Sequence, residues 1–334
     1  MCKIITFRSQ CKNTILNRIF AFMKLQTPVA DEKCKVGISY TNKITMLGSC
    51  FTDNIGKMLA AYGFDVLVNP FGTLYNPISI KQSIDMMLSE RMFTKEDCVM
   101  MGAGSDLVCS YSHHTSFARK SLEEFLENAN SRLQEARKHF LESDRVIITL
   151  GTSWCYTNTE TGKVVSNCLK RPAAEFVRKR LDTSAVKDSL LAIMNSCRTA
   201  PGCKEKEFIF TVSPIRHFKD GAHGNQISKA ALLVAIDDVI NTISDTENTA
   251  DIIIADNRET SALNIRADYF PAYEIMMDEL RDYRFYAEDM CHPSQQAVDY
   301  IGERFLSWAL ASEDQQALQE NIRRFKRSRH IEMH

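Results

Sequence analysis

KITMLGSCFTDNIGKMLAAYGF, residues 43–64, changes its hydrophobic period halfway along. Ile44, Met46 and Leu47 form a short apolar run suited to a buried strand, whereas Ile55, Met58, Leu59 and Tyr62 recur at helical spacing and Gly63 closes the helix as a C-cap. Gly48, Ser49 and Cys50 stand between the two. Lacking a Cβ, Gly48 lets the backbone turn sharply, which leaves Ser49 or Cys50 at a helix N-terminus where unpaired amides favour an anion. Such a place lowers a thiol pKa and stabilises an oxyanion. The same residues also suit an ordinary strand-to-helix turn with a small buried cysteine, so the reading depends on what the rest of the chain supplies.

A partner lies far downstream, in FYAEDMCHPSQQAVDYIGERF, residues 285–305. Pro293 and Ser294 open a helix whose apolar face is Ala297, Tyr300, Ile301 and Phe305, and Asp289 and His292 stand three apart just before it. In a D-x-x-H pair the carboxylate orients the imidazole and supports its positive charge, while the other ring nitrogen takes a proton from a nucleophile. Between these segments, the apolar runs Val66–Val68, Val146–Ile148, Phe208–Val212 and Ile252–Ala255 alternate with amphipathic helical stretches. That is the pattern of a mostly parallel sheet covered on both faces, an α/β fold. Ligands of such sheets bind beyond the carboxyl ends of the strands, where both segments fall. So does TVSPIRH, in which Ser213, Arg216 and His217 follow a strand and suit an anionic or polar substrate group; a surface ion pair suits Arg216 equally.

The blocks MKLQTPV (from Met23), LGSCFTDNIG, NPFGTLYNP (69–77), TLGTSWCY (149–156), NCLKRPAAEF (167–176), TVSPIRHFKDG (211–221), NQISKA (225–230) and the run from Tyr269 to Ser294 resemble, in order, the GSCFA family of bacterial proteins. That family is similar to a divergent branch of the SGNH/GDSL hydrolases. The resemblance covers residues 23–310 and implies a three-layer α/β/α, flavodoxin-like domain with a hydrolase scaffold. Laying the first SGNH block, G-D-S-x-T, on residues 48–52 puts Cys50 at the nucleophile position; Ser49 takes it if the turn shifts by one. A cysteine there is competent and forms a thioester. The second block implies oxyanion donors at Asn69 and Gly72. In the third, G-x-N falls on Gly151, Thr152 and Ser153, so a serine stands where the family's asparagine would be, with Thr152 or Trp154 Nε1 as substitutes. The fourth makes Asp289 the orienter and His292 the base. Family members carry NCHK where this chain has NCLK, with Leu169.

The resemblance therefore implies a hydrolase, an esterase or acyltransferase, acting on an ester or acyl group of a saccharide or cell-envelope-related metabolite. The alternatives are a catalytically inactive ligand-binding protein and a cysteine amidase or peptidase. No cofactor is expected. Neither is a metal, because the chain has no C-x-x-C or H-E-x-x-H and adjacent His113 and His114 would point apart on a strand. With 44% hydrophobic and 25% charged residues and a net charge of -1, the composition is that of a globular protein with no basic field for nucleic acid. No membrane span is expected, since the apolar stretch near Ile19–Met23 is short and interrupted. The 11 cysteines are an odd count without framework spacing, which suits reduced thiols and a cytoplasmic location. Residues 1–22 read as an upstream extension, with Met23 as the start; 158–207 as a helical insertion, a possible cap; and 311–334 as a charged, solvated tail.

Overall fold

The structure, a computed structural model, describes residues 27–30, 34–248 and 265–332. Five parallel strands form the central sheet: β1 (Lys43–Gly48), β2 (Asp65–Val68), β3 (Arg145–Leu150), β4 (Glu207–Val212) and β5 (Ala267–Phe270). Their spatial order is 2-1-3-4-5, with Thr45 of β1 opposite Leu67 of β2 and Val146 of β3, and Ile148 of β3 opposite Phe210 of β4. This is the flavodoxin-like order of a doubly wound sheet.

Successive residues of a strand face opposite sides, and both sides are apolar here. Leu47, Val146, Ile148, Leu150, Phe208 and Phe210 enter one core, which α2 (Pro77–Leu88), α3 (Leu122–Glu142), α4 (Thr183–Thr199) and α5 (Gly221–Asn248) cover. Ile44, Met46, Ile147, Ile209 and Phe270 enter the other, under α1 (Cys50–Ala61) and α6 (Gln295–Ala309). The helices begin where the sequence offers side-chain acceptors. Ser49, Asn76, Ser121, Asp182 and Ser294 each cap a helix by accepting one of its first amides.

The segment expected to be a helical insertion, 158–207, is helical only in its second half. Its first half completes a three-stranded antiparallel sheet of Val164–Val165, Trp154–Asn158 and Phe176–Arg180. Val186, Leu190, Ile193 and Met194 of α4 are buried in the sheet's own core, so that helix is a layer of the domain and not a cap. The C-terminal segment is also more than a solvated tail. It forms α7 (Gln315–Glu332), with Leu318 buried and the Phe325 ring edge-on to Tyr62, the C-cap of α1, at 5.9 Å. The run Ile252–Ala255 and the extension 1–22 lie outside the described residues; β5, which follows, was not anticipated. No helix among the described residues is long and apolar enough to cross a membrane.

Candidate active site

The turn after β1 separates the two candidate nucleophiles. Gly48 has φ 149°, and a Cβ there would lie 2.3 Å from the Thr149 carbonyl of β3, so only glycine lets the two strand ends approach this closely. Its amide donates to Asn69 Oδ1 at 2.8 Å. Ser49 is fully buried; its hydroxyl accepts from the Phe51 amide at 3.3 Å and donates to Ser213 Oγ at 3.0 Å. It is a helix cap tied to the end of β4. Cys50 is half-buried and lines a cleft, its Sγ 3.6 Å from the Tyr75 hydroxyl. Burial pushes the Tyr75 phenol up to about 12, so it stays a donor toward a thiolate.

Opposite Cys50 stands the D-x-x-H loop. His292 Nδ1 is 2.6 Å from Asp289 Oδ2, and Asp289 Oδ1 accepts from the amides of Cys291 and His292, each at 2.9 Å. Those two amides and then the imidazole hold the carboxyl down at about 2, so it is ionised at any working pH. With Nδ1 engaged, Nε2 is the nitrogen left for proton transfer.

Cys50, Asp289 and His292 line one cleft of about 640 Å³. It lies beyond the carboxyl ends of β1, β3 and β4, where the strand order reverses and doubly wound sheets bind ligands. Thr152, Trp154, Arg216 and His217 line it, and so do Tyr75, Asn167, Cys168, Arg178 and Cys291, which the sequence had not singled out. The Arg178 guanidinium lies 4.2 Å from the Trp154 ring and pairs with Asp220. The His217 ring is edge-on to Tyr75 at 6.1 Å. Burial first, then the charges of Lys229, His292 and Arg178, pull His217 down to about 4, which makes it a neutral imidazole at pH 7. Two buried atoms here, His217 Nε2 and Trp154 Nε1, have no hydrogen-bond partner among the described residues.

Several expected site residues support the cleft without facing it. Ser153 is buried and turned onto α5, where its amide and hydroxyl both donate to Ser228 Oγ, at 2.8 and 3.1 Å; it is not placed as an oxyanion donor. The Gly72 amide is spent on the Asn69 carbonyl at 2.8 Å, and Asn69 itself holds Gly48 and Asp53. Gly151 donates to the Tyr75 carbonyl, and Ser213 accepts from Ser49. The Thr152 amide is spent on the same Tyr75 carbonyl and the Trp154 amide on Thr152 Oγ1, so the donors left for an oxyanion are the Cys50 amide, the first N–H of α1 with no intrahelical acceptor, together with the Thr152 hydroxyl and Trp154 Nε1.

One supporting face was missed altogether. Asn225, Ser228 and Lys229 of α5 stand at i, i+3 and i+4, hence on one side of the helix. Asn225 Oδ1 takes the His217 amide at 2.9 Å, and Ser228 holds Thr152 and Ser153. Lys229, fully buried, donates from Nζ to the carbonyls of Gly151 at 2.6 Å and Ser213 at 2.7 Å, and burial pulls its ammonium down to about 7. The block NQISKA carried this polar face in the sequence, and its helical spacing was the available signal.

The GSCFA family model matches residues 43–305, from the first residue of β1 to the last turns of α6. The chain belongs to the GSCFA family. The matched span contains Cys50, the Asp289–His292 pair and the α5 face beneath them, so the whole cleft is GSCFA structure. No curated protein and no solved structure matches the chain. Nine cysteines among the described residues are free thiols, and no cluster of metal-ligating side chains occurs among those residues.

Proposed function

We propose that this GSCFA protein is an acyl hydrolase or acyltransferase that works through a thioester on Cys50. The observation that carries the reading is that Cys50, at the N-terminus of α1, shares a cleft with an imidazole already held by a carboxylate. His292 takes the thiol proton, and the thiolate attacks an ester or amide carbonyl. The Cys50 amide and Trp154 Nε1 receive the developing oxyanion. Collapse expels the leaving group with the proton from His292, and water or a second hydroxyl then takes the acyl group by the reverse path. Asp289 fixes the ring and supports its charge throughout. The resemblance to SGNH hydrolases favours an ester of a saccharide or cell-envelope-related metabolite as substrate; a cysteine amidase would share the same residues.

The test is acyl trapping. The protein is exposed to a small p-nitrophenyl ester, quenched in acid and mapped by mass spectrometry. One acyl group on Cys50, absent in Cys50→Ala and reduced at least about a hundredfold in rate in His292→Ala, is the expected result; an acyl group on Ser49, or none, contradicts it. A second reading, a binding protein without turnover, draws on Ser153 being turned away from the cleft, which leaves the oxyanion one donor short of the SGNH pattern.

A further inference from the structure

Arg216 has surroundings that ask for a ligand of particular chemistry. Its guanidinium lies 4.1 Å from the Phe218 ring and 4.9 Å from the Tyr286 ring. Its amide donates to the Cys291 carbonyl at 3.0 Å, and its Nη1 to the Met290 carbonyl at 3.3 Å. The side chain is thus pinned against the D-x-x-H loop, with its planar face covered. No carboxylate lies within ion-pair distance of it among the described residues, unlike Arg178, which has Asp220. A guanidinium held by stacking keeps its remaining N–H groups in a fixed fork.

Apart from Arg216, the charged residues that line the cleft balance, Arg178 and Lys219 against Asp220 and Asp289. The two acidic residues are already engaged, Asp220 by Arg178 and Asp289 by His292 and two amides. Arg178, Arg216 and Lys219 line the wall, and the positive end of α1 opens at Cys50. Trp154 Nε1 adds a buried donor without a partner among the described residues. A single stacked fork matches a planar carboxylate, with two parallel hydrogen bonds. A phosphate would call for the several converging donors of a nest or an arginine cluster, and Arg178 is already paired.

We infer that the substrate carries a carboxylate, bound by Arg216 while its acyl carbon faces Cys50. This rests on the acyl-transfer reading of the site and narrows it to acyl groups, or acceptors, bearing a free carboxylate. Arg216 then binds substrate with one edge and holds the His292 loop with the other.

The test compares two alkylating reagents of nearly equal size, iodoacetate and iodoacetamide. With either, the Cys50 thiolate forms an S–C bond as the C–I bond breaks and iodide leaves; only iodoacetate carries the carboxylate. The iodoacetate-to-iodoacetamide rate ratio at Cys50 is read by mass spectrometry in the wild type, in Arg216→Gln and in Arg216→Lys. The expected ratio in the wild type exceeds that of free N-acetylcysteine. It falls about tenfold in Arg216→Gln, and Arg216→Lys recovers part of it. A merely structural Arg216 would slow both reagents together and leave the ratio unmoved, and that result overturns the proposal. So does better protection of Cys50 by inorganic phosphate than by propionate. If Cys50 is inert to both reagents, the acyl-transfer reading fails by itself. The carboxylate site is then read from the tryptophan fluorescence of the wild type and Arg216→Gln titrated with propionate against propionamide, since Trp154 lines the cleft. A response to propionate that Arg216→Gln abolishes supports the site, and equal responses overturn it.

Discussion

Ser49 and Cys50 are adjacent, and the helix N-terminus sorts them into different roles. Ser49 occupies the cap position, where its hydroxyl is spent on Phe51 and Ser213. Cys50 is the first helical residue, open to the cleft and within reach of the Tyr75 phenol. Ser49→Ala should therefore lower the unfolding free energy by about 1 kcal/mol, the ordinary cost of a lost cap. Measured by urea unfolding beside Cys50 alkylation, that loss should come with a labelling rate within about threefold of the wild type, far from the drop expected when a nucleophile is removed. The Asp289–His292 pair was legible in the sequence because its geometry is local, three residues in one loop whose amides bind the same carboxylate. Ser153 was not, since a small hydroxyl beside a glycine can turn either way, and what turned it is Ser228 from a helix 75 residues further on.

Among the elements, α5 does for the cleft what the motif residues cannot do for themselves. Lys229 ties the ends of β3 and β4 through the Gly151 and Ser213 carbonyls, and Asn225 and Ser228 position His217 and Thr152. Its buried ammonium has a consequence for stability. The unfolded chain holds a lysine proton up to about pH 10.4, while the native state releases it near 7. Between those values the unfolded chain binds more protons, so this group makes stability rise with pH, by up to about 1.4 kcal/mol per unit, with no slope from it below pH 7. Urea unfolding at several pH values across that window should show the rise in the wild type and its disappearance in Lys229→Met; parallel profiles would contradict the assignment. The apolar strands β1, β3 and β4 were readable because burial on both faces leaves near-continuous hydrophobic runs. The half-insertion after β3 misled because Val164–Val165 and Phe176–Arg180 are short or charged strands, paired only through Trp154–Asn158. The C-terminal helix was hidden by its charge, as Leu318, Ile322 and Phe325 are few among basic and polar neighbours.

At the scale of the molecule, the 2-1-3-4-5 strand order brings together segments that the chain keeps some 240 residues apart, Cys50 after β1 and His292 before α6. The crevice at the reversal of that order is where such a fold binds ligands whatever its chemistry; the chemistry comes from the side chains placed there. The central claim is that Cys50 is a thiolate nucleophile activated by His292, and alkylation of Cys50 by iodoacetamide as a function of pH, in the wild type and in His292→Ala, tests it most directly. The account predicts that Cys50 labels fastest of the chain's thiols near neutral pH, and that the mutant slows at least about tenfold there. Labelling of Cys50 no faster than that of the other thiols, with the same pH profile in both proteins, would contradict it.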